Sequence, residues 1–276
     1  MKRAIKYGLL ALLAAALICA TWGASWLLGT TGGARWVMAA VSRHTPLKIS
    51  ARQVGGRLLD RLRLRGVRVA LAPFEVEIEG LDYRLQPLLL LAGQVASPEL
   101  TMSGVRIRDN TPLDIHPDLA WPRVSGMARL FDGRIGRLRV SGLSYRHLNG
   151  QLIHVNAISS SVSWEKALLS LSDLAVTSPG GRITGNIAAG FARPTLQIDL
   201  TMTTTRIFAG MKTFSLQGRF LPELRPEQLA GSFAVAGVKD KVNFLELAGE
   251  MGLTRSAFNF RRLRLTQSGR RGSVTG

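Results

Sequence analysis

The residues able to do chemistry are few and scattered. The four histidines, His44, His116, His147 and His154, include no i, i+4 pair with an intervening glutamate, the spacing that sets two imidazoles on one helix face around zinc. No metal centre is expected. Neither a Gly-x-Ser-x-Gly elbow nor a Gly-x-x-x-x-Gly-Lys-Ser/Thr phosphate loop occurs. Gly180, Gly181 and Gly185 are spaced as turn and strand glycines, because a dinucleotide fingerprint needs a helix directly after its loop. Glu75, Glu77 and Glu79 share one face of a strand and could pass for paired catalytic carboxylates. The arginines of the preceding strand explain them better, since opposite charges across a strand pair contribute roughly 0.2–1 kcal/mol. The chain is read as no enzyme, with no cofactor.

What those residues sit on begins with an uncharged stretch, Tyr7 to Ala34, behind Lys2, Arg3 and Lys6. Its apolar centre, Tyr7 to Leu28, would rise about 33 Å as a helix, enough for a hydrocarbon layer of about 30 Å. Positive charge on the N-terminal side alone places Met1 in the cytoplasm and the body across the membrane, in a bacterium the periplasm. A cleaved signal fits less well: Ile18-Cys19-Ala20 and Trp22-Gly23-Ala24 lack the paired small residues of a cleavage site. Cys19 is the single cysteine, so no internal disulfide can form.

Composition is that of a folded protein, 46% hydrophobic and 20% charged, with a net charge of +18. Excess charge of this sign suggests nucleic acid, but the arginines alternate singly with aliphatics, as in Arg61-Leu62-Arg63-Leu64-Arg65. A period of two sends them to one strand face, which reads as a solvated outer face or one close to anionic headgroups. Nucleic acid is not an expected partner.

After Gly32 and Gly33, Trp36, Val37, Ala40 and Val41 recur at helical spacing until Pro46 stops the helix. Its expected role is to cover the open edge of the first strands. From Leu47 onward alternation of apolar and polar residues predicts β structure almost throughout, including strands at Arg182–Ala189, Thr195–Met202, Phe214–Phe220, Leu229–Val235 and Ala257–Leu265. An internal repeat organises it. Arg61-Leu-Arg-Leu-Arg-Gly-Val67 returns 76 residues later as Arg137-Leu-Arg-Val-Ser-Gly-Leu143, and Val76-x-Ile78 returns 77 residues later as Ile153-x-Val155. Each copy then reaches a leucine-rich turn, Pro87 to Leu91 and Trp164 to Leu169. In both, the apolar parity slips by one residue at Gly66 and Gly142, and again near Gly80 and Ala157, which predicts bulges or tight bends.

The expected organisation is a cytoplasmic tail (1–6), a transmembrane helix (7–28), a juxtamembrane helix (29–46), a first β module (47–109), a proline-rich linker (110–132), and a second module with following strands (133–276). The ending, a strand, a turn and the opening of another strand, reads as an incomplete C-terminus.

Trp26-Leu-Leu-Gly-Thr-Thr-Gly-Gly-Ala-Arg-Trp36, at the end of the anchor, resembles the start of the TamB family, the inner-membrane subunit of the translocation and assembly module within the AsmA-like group. Val54-Gly-Gly-Arg-Leu-Leu-Asp-Arg-Leu-Arg-Leu-Arg-Gly-Val67, Val76-Glu-Ile-Glu-Gly-Leu-Asp-Tyr83 and Glu99-Leu-Thr-Met-Ser-Gly-Val105 follow that family's opening module strand by strand. The resemblance implies a long folded-over sheet with a hydrophobic groove, phospholipid transport across the periplasm, and assembly of outer-membrane proteins with a β-barrel partner. This chain is short for that task, and the family's C-terminal domain that docks the barrel has no counterpart in it.

A twisted sheet bending at bulges can curl its apolar face into an open groove, with phospholipid acyl chains in place of a second layer. The expected wall is Leu62, Leu64, Val67, Val69, Val76, Ile78, Leu81 and Tyr83 in the first module. In the second it is Leu138, Val140, Leu143, Tyr145, Ile153, Val155, Ile158 and Val162. The same side chains packed as a dry core are the bland alternative. Rival functions are a structural scaffold for outer-membrane protein biogenesis without lipid, and a component of a lipopolysaccharide bridge, which the repeat disfavours.

Overall fold

The computed structural model describes residues 29–44, 48–57, 60–90, 93–112, 132–208, 211–222, 229–239, 242–253, 258–267 and 270–274. The Tyr7–Leu28 stretch lies outside them. Among the described residues no helix is long and apolar enough to cross a membrane.

The chain is mainly β and forms one open sheet. Helix α1 (Thr31–His44) leads into β1 (Lys48–Gly56), β2 (Arg61–Leu71) and β3 (Phe74–Arg84). A single helical turn, α2 (Pro87–Leu90), precedes the short β4 (Gln94–Ser97) and β5 (Leu100–Asp109). Then come β6 (Asp132–His147), β7 (Leu152–Glu165), β8 (Leu168–Ser178), β9 (Gly181–Gly190) and β10 (Thr195–Phe208). The last are β11 (Met211–Pro222), β12 (Leu229–Lys239), β13 (Val242–Leu253), β14 (Phe258–Gln267) and β15 (Arg270–Val274).

Strands pair in chain order from β1 to β15, with β4 alone off the path, beside β6. Pairing is antiparallel except where β4 and β5 run parallel to β6. These parallel pairs join the first module to the second; within each module the pairing is antiparallel. With β5 beside β6, the two repeat copies join edge to edge in one continuous sheet. Positions 113–131, with Pro117 and Pro122, lie outside the described residues.

The recurring parity slip is a line of left-handed backbone. Gly66 in β2, Gly104 in β5 and Gly142 in β6 have φ of 60°, 61° and 66°. Glu79 of β3 stands between Gly66 and Gly104 in register, so the line crosses four neighbouring strands at one level. Each strand turns its apolar residues back to the same face after it, as Leu62 and Leu64 before Gly66 and Val67 and Val69 after it require. Gly80 has no left-handed backbone; the bend in β3 is at Glu79–Gly80 by register alone.

The second leucine-rich turn differs from the first. Where the first copy makes α2, Lys166 and Ala167 form a two-residue hairpin with φ of 47° and 65°, the twist that suits a tight antiparallel turn.

Helix α1 runs back along β1. Ser42 meets the outer edge of that strand: its hydroxyl donates to the Ile49 carbonyl (3.1 Å) and accepts from the Ile49 N–H (2.9 Å). The edge-covering role expected of the helix is therefore visible in its bonds. Its buried face is Ala34 and Met38, whereas Trp36 is 55% exposed. Val37 and Val41 have side chains outside the described set.

Candidate functional site

The apolar face of the sheet is an extended surface that register makes continuous from β2 to β14. Leu64, Leu81, Met102, Val140 and Ile158 stand side by side from β2 to β7. The row goes on through Val176, Ile183, Met202 and Phe214 to β11. A neighbouring row, Leu200, Leu216, Val235, Leu247 and Leu265, carries the face to β14. Alternation within a strand supplies one apolar position in two; pairing in register converts it into a surface.

The face has two regimes. Over β2, β3, β5 and β6 it is packed: Leu62, Leu64, Val67, Ile78, Val105 and Val140 are each buried and form one cluster with Ala34 of α1. Val69, Val76, Leu81, Tyr83, Leu138, Leu143 and Ile158 pack around that cluster. Burial raises the Tyr83 hydroxyl above the ordinary phenol range. Farther on the face is mixed: Leu174, Phe220 and Leu229 are buried and Met211 is buried against Gly237, whereas Ile153 is 47% exposed, Val155 and Val162 are half-buried outside the cluster, and Met202, Leu247 and Leu265 are exposed.

On this part lies a cavity of about 670 Å³ lined by Pro179, Gly180, Met202, Thr204, Thr205, Arg206 and Phe214. Met202 and Phe214 are directly paired and give it an apolar floor. Thr205 ties its rim to the β8–β9 turn, its N–H donating to the Gly180 carbonyl at 3.0 Å. Its size falls within the range of about 300–1,000 Å³ usual for ligand pockets.

One end of the packed region is polar. Asp109 ends β5 beside His147 in register, and its carboxylate accepts bonds from the Thr111 N–H (2.9 Å) and the Tyr145 hydroxyl (2.6 Å). The Thr111 bonds foremost, then Tyr145, hold the Asp109 carboxyl below the usual range; the same contact with Asp109 raises the Tyr145 hydroxyl. Tyr145, expected as groove wall, is thus a hydrogen-bonding residue at the end of the wall. His147 accepts the Asn149 N–H at Nδ1 and closes the β6–β7 turn, and His154 is exposed.

The chain matches no family model, no curated protein and no solved structure.

On the opposite face the carboxylates pair as ions. Glu77 takes Arg68 of β2 at 3.3 Å, as expected, but also Arg106 of β5 at 3.9 Å, while Glu79 pairs with Arg106 and not with the preceding strand. Among the described residues no group of three or more His, Cys, Asp or Glu is placed to hold a metal ion.

Sequence reasoning missed seven of the nineteen packed residues: Met102, Val105 and Ile107 of β5, Ala51 and Val54 of β1, and Ala34 and Met38 of α1. The β5 residues alternate with Thr101, Ser103, Arg106 and Arg108 and slip parity at Gly104, a pattern legible as that of β2. Met202 and Phe214 sit in recognised strands, but nothing local marks them as the floor of a cavity.

Proposed function

We propose that the chain is the N-terminal part of a TamB- or AsmA-like bridge, anchored in the inner membrane by residues 7–28 with its body in the periplasm. Its work is phospholipid transport toward the outer membrane and outer-membrane protein assembly, by binding and not by bond chemistry. The observation that carries this reading is the apolar face running in register from β2 to β14, exposed at Met202, Leu247 and Leu265 and hollowed over Met202 and Phe214. An open sheet that leaves one apolar face without a second layer needs something to cover it, and acyl chains gain about 0.8 kcal/mol for each buried methylene. Near-equal sites along the rows allow exchange without a chemical step. A β-barrel partner in the outer membrane is part of the proposal.

The test is photo-crosslinking in native membranes from the full chain. A photoreactive residue at Met202 is expected to label phospholipid, and one at Thr201, on the other face of the same strand, is expected not to. Equal labelling at both, or none at Met202, overturns the groove.

A second reading, a scaffold with a filled interior, is favoured most at one end. There Leu62, Leu64, Val67, Ile78, Val105 and Val140 are buried against one another and Ala34. A dry preparation by native lipid mass spectrometry would extend that reading to the whole sheet.

A further inference from the structure

The polar face of the first strands carries more arginine than its carboxylates can pair. Asp82 serves Arg61 at 2.6 Å and Arg63 at 3.5 Å, and Glu77 serves Arg68 and Arg106. Glu99 is taken by Arg139 at 3.5 Å. Arg52, Arg65, Arg84, Arg108, Arg134 and Arg146 are exposed and have no ion-pair partner among the described residues. They come from neighbouring strands, and their positions across the pairing put them on one side of the sheet. Register sets like charges opposite each other: Arg61 faces Arg84, and Arg108, which has Glu75 across its other edge, faces Arg146. Like charges directly across a strand pair destabilise it. A merely solvated face has no reason to concentrate that cost, and an external anion relieves it.

The face also has a seat. A hollow of about 490 Å³ opens over Gly66, lined by Arg52, Arg65, Arg68 and Arg106 with Glu77 and Glu79. Gly66 has no side chain to fill it, and Arg52 lies against that glycine: a Cβ there would meet the Arg52 chain at 2.8 Å. Two of its four guanidinium groups, those of Arg52 and Arg65, have no carboxylate. Planar guanidinium groups bind phosphate oxygens in pairs.

We infer that this face docks on a bilayer surface bearing anionic phospholipid headgroups, with Arg52 and Arg65 seating a headgroup phosphate in the hollow. The inference rests on the proposed anchor, which keeps β1 near the membrane, and is independent of what the apolar face holds. Attraction of this kind acts within about 10 Å at 0.1 M salt, so the strands next to the anchor are those able to use it.

The test uses the full chain with Cys19→Ala, carrying a fluorophore at Ser103→Cys, an exposed position on the polar face of β5. The protein is reconstituted in nanodiscs of phosphatidylcholine with or without phosphatidylglycerol, with nitroxide headgroup lipid as quencher. Quenching is expected only in the anionic discs and is expected to vanish at high salt. The Arg52→Gln/Arg65→Gln variant, checked for unchanged circular dichroism, should lose it by about two-fold or more, since two phosphate-binding charges are gone. A label at Ser232→Cys, exposed on β12, should be indifferent to the lipid. Equal quenching in both discs, or quenching untouched by salt, overturns the docking face; a double variant quenched like its parent overturns the seat. Capture of duplex DNA with the two discs indistinguishable overturns it in favour of nucleic acid. A chain that fails to enter any disc sinks the anchor instead, a distinct result.

Discussion

Gly104 of β5 and Gly142 of β6 stand level on adjacent parallel strands, between the paired positions Ser103–Ser141 and Val105–Leu143, and both have left-handed backbones. A Cβ on Gly142 would come no closer than 3.9 Å to the Gly104 backbone, whereas one on Gly104 would collide with the Glu79 side chain. The two glycines thus share a backbone cost and differ in space.

That difference predicts an order. Gly142→Ala should destabilise by about 1–2 kcal/mol, the cost of a left-handed L-residue. Gly104→Ala should cost more, because the Glu79 carboxylate must also leave its place beside Arg106. Gly142→Asn should recover part of the loss, since Asn tolerates this conformation. Denaturant unfolding of the detergent-solubilised chain measures all three, and equal losses at 104 and 142 would refute the assignment of the contact to Glu79.

The two regimes of the apolar face separate stability from binding. Leu64→Ala empties a packed site and should cost about 2–5 kcal/mol. Met202→Ala, at a position 38% exposed, should cost far less and instead reduce copurifying phospholipid. Lipid mass spectrometry and unfolding on the same two variants check this, and a Met202→Ala protein as unstable as Leu64→Ala would mean the cavity floor is core.

The Ser42 hydroxyl makes both of its bonds to one residue, so Ser42→Ala should uncover the outer edge of β1. The expected loss is about 1 kcal/mol, with faster amide exchange at Ile49 than at Ala51, which has no bond to Ser42. Unchanged protection at Ile49 would return the edge-covering role to the apolar contacts of Ala34 and Met38.

How far such features could be read without coordinates follows from what each depends on. Leu62, Leu64, Val140 and Ile158 were legible as one face because a period of two survives any pairing. So was the bend at Gly66 and Gly142, since the slip repeats. Helix α1 was legible in extent but not in orientation: periodicity groups Trp36 with Ala40, while packing selects Ala34, small enough to lie against the strands, and turns Trp36 outward. Strand β13 escaped because Gly249 interrupts the alternation of Leu245, Leu247 and Met251, and only pairing with Phe233 restores it. The turn within Trp164 to Leu169 was legible in place from the repeat, but its two-residue form at Lys166–Ala167 was not, because neither residue is a usual turn former. The parallel return of β5 to β6 depends on where a crossover of some twenty residues ends, which the proline count does not fix.

The Asp109–Tyr145 pair gives stability a two-sided pH window. The Asp109 carboxyl titrates lower in the folded protein, so its contribution is complete above the ordinary carboxylate value, about 4, and is lost as pH falls through the lower native value. The Tyr145 hydroxyl titrates higher, so its contribution is complete below about 10 and is lost as pH rises through the raised value. Asp109→Asn should flatten the acid limb of the melting-temperature profile without abolishing it, because Asp82, held low by its Arg61 bond, still titrates there. Tyr145→Phe should flatten the alkaline limb and leave the Thr111 bonds to Asp109 in place. Melts of the three proteins across pH decide it: an acid limb identical in Asp109→Asn and the parent would show that the carboxylate is no better solvated in the fold than in the open chain.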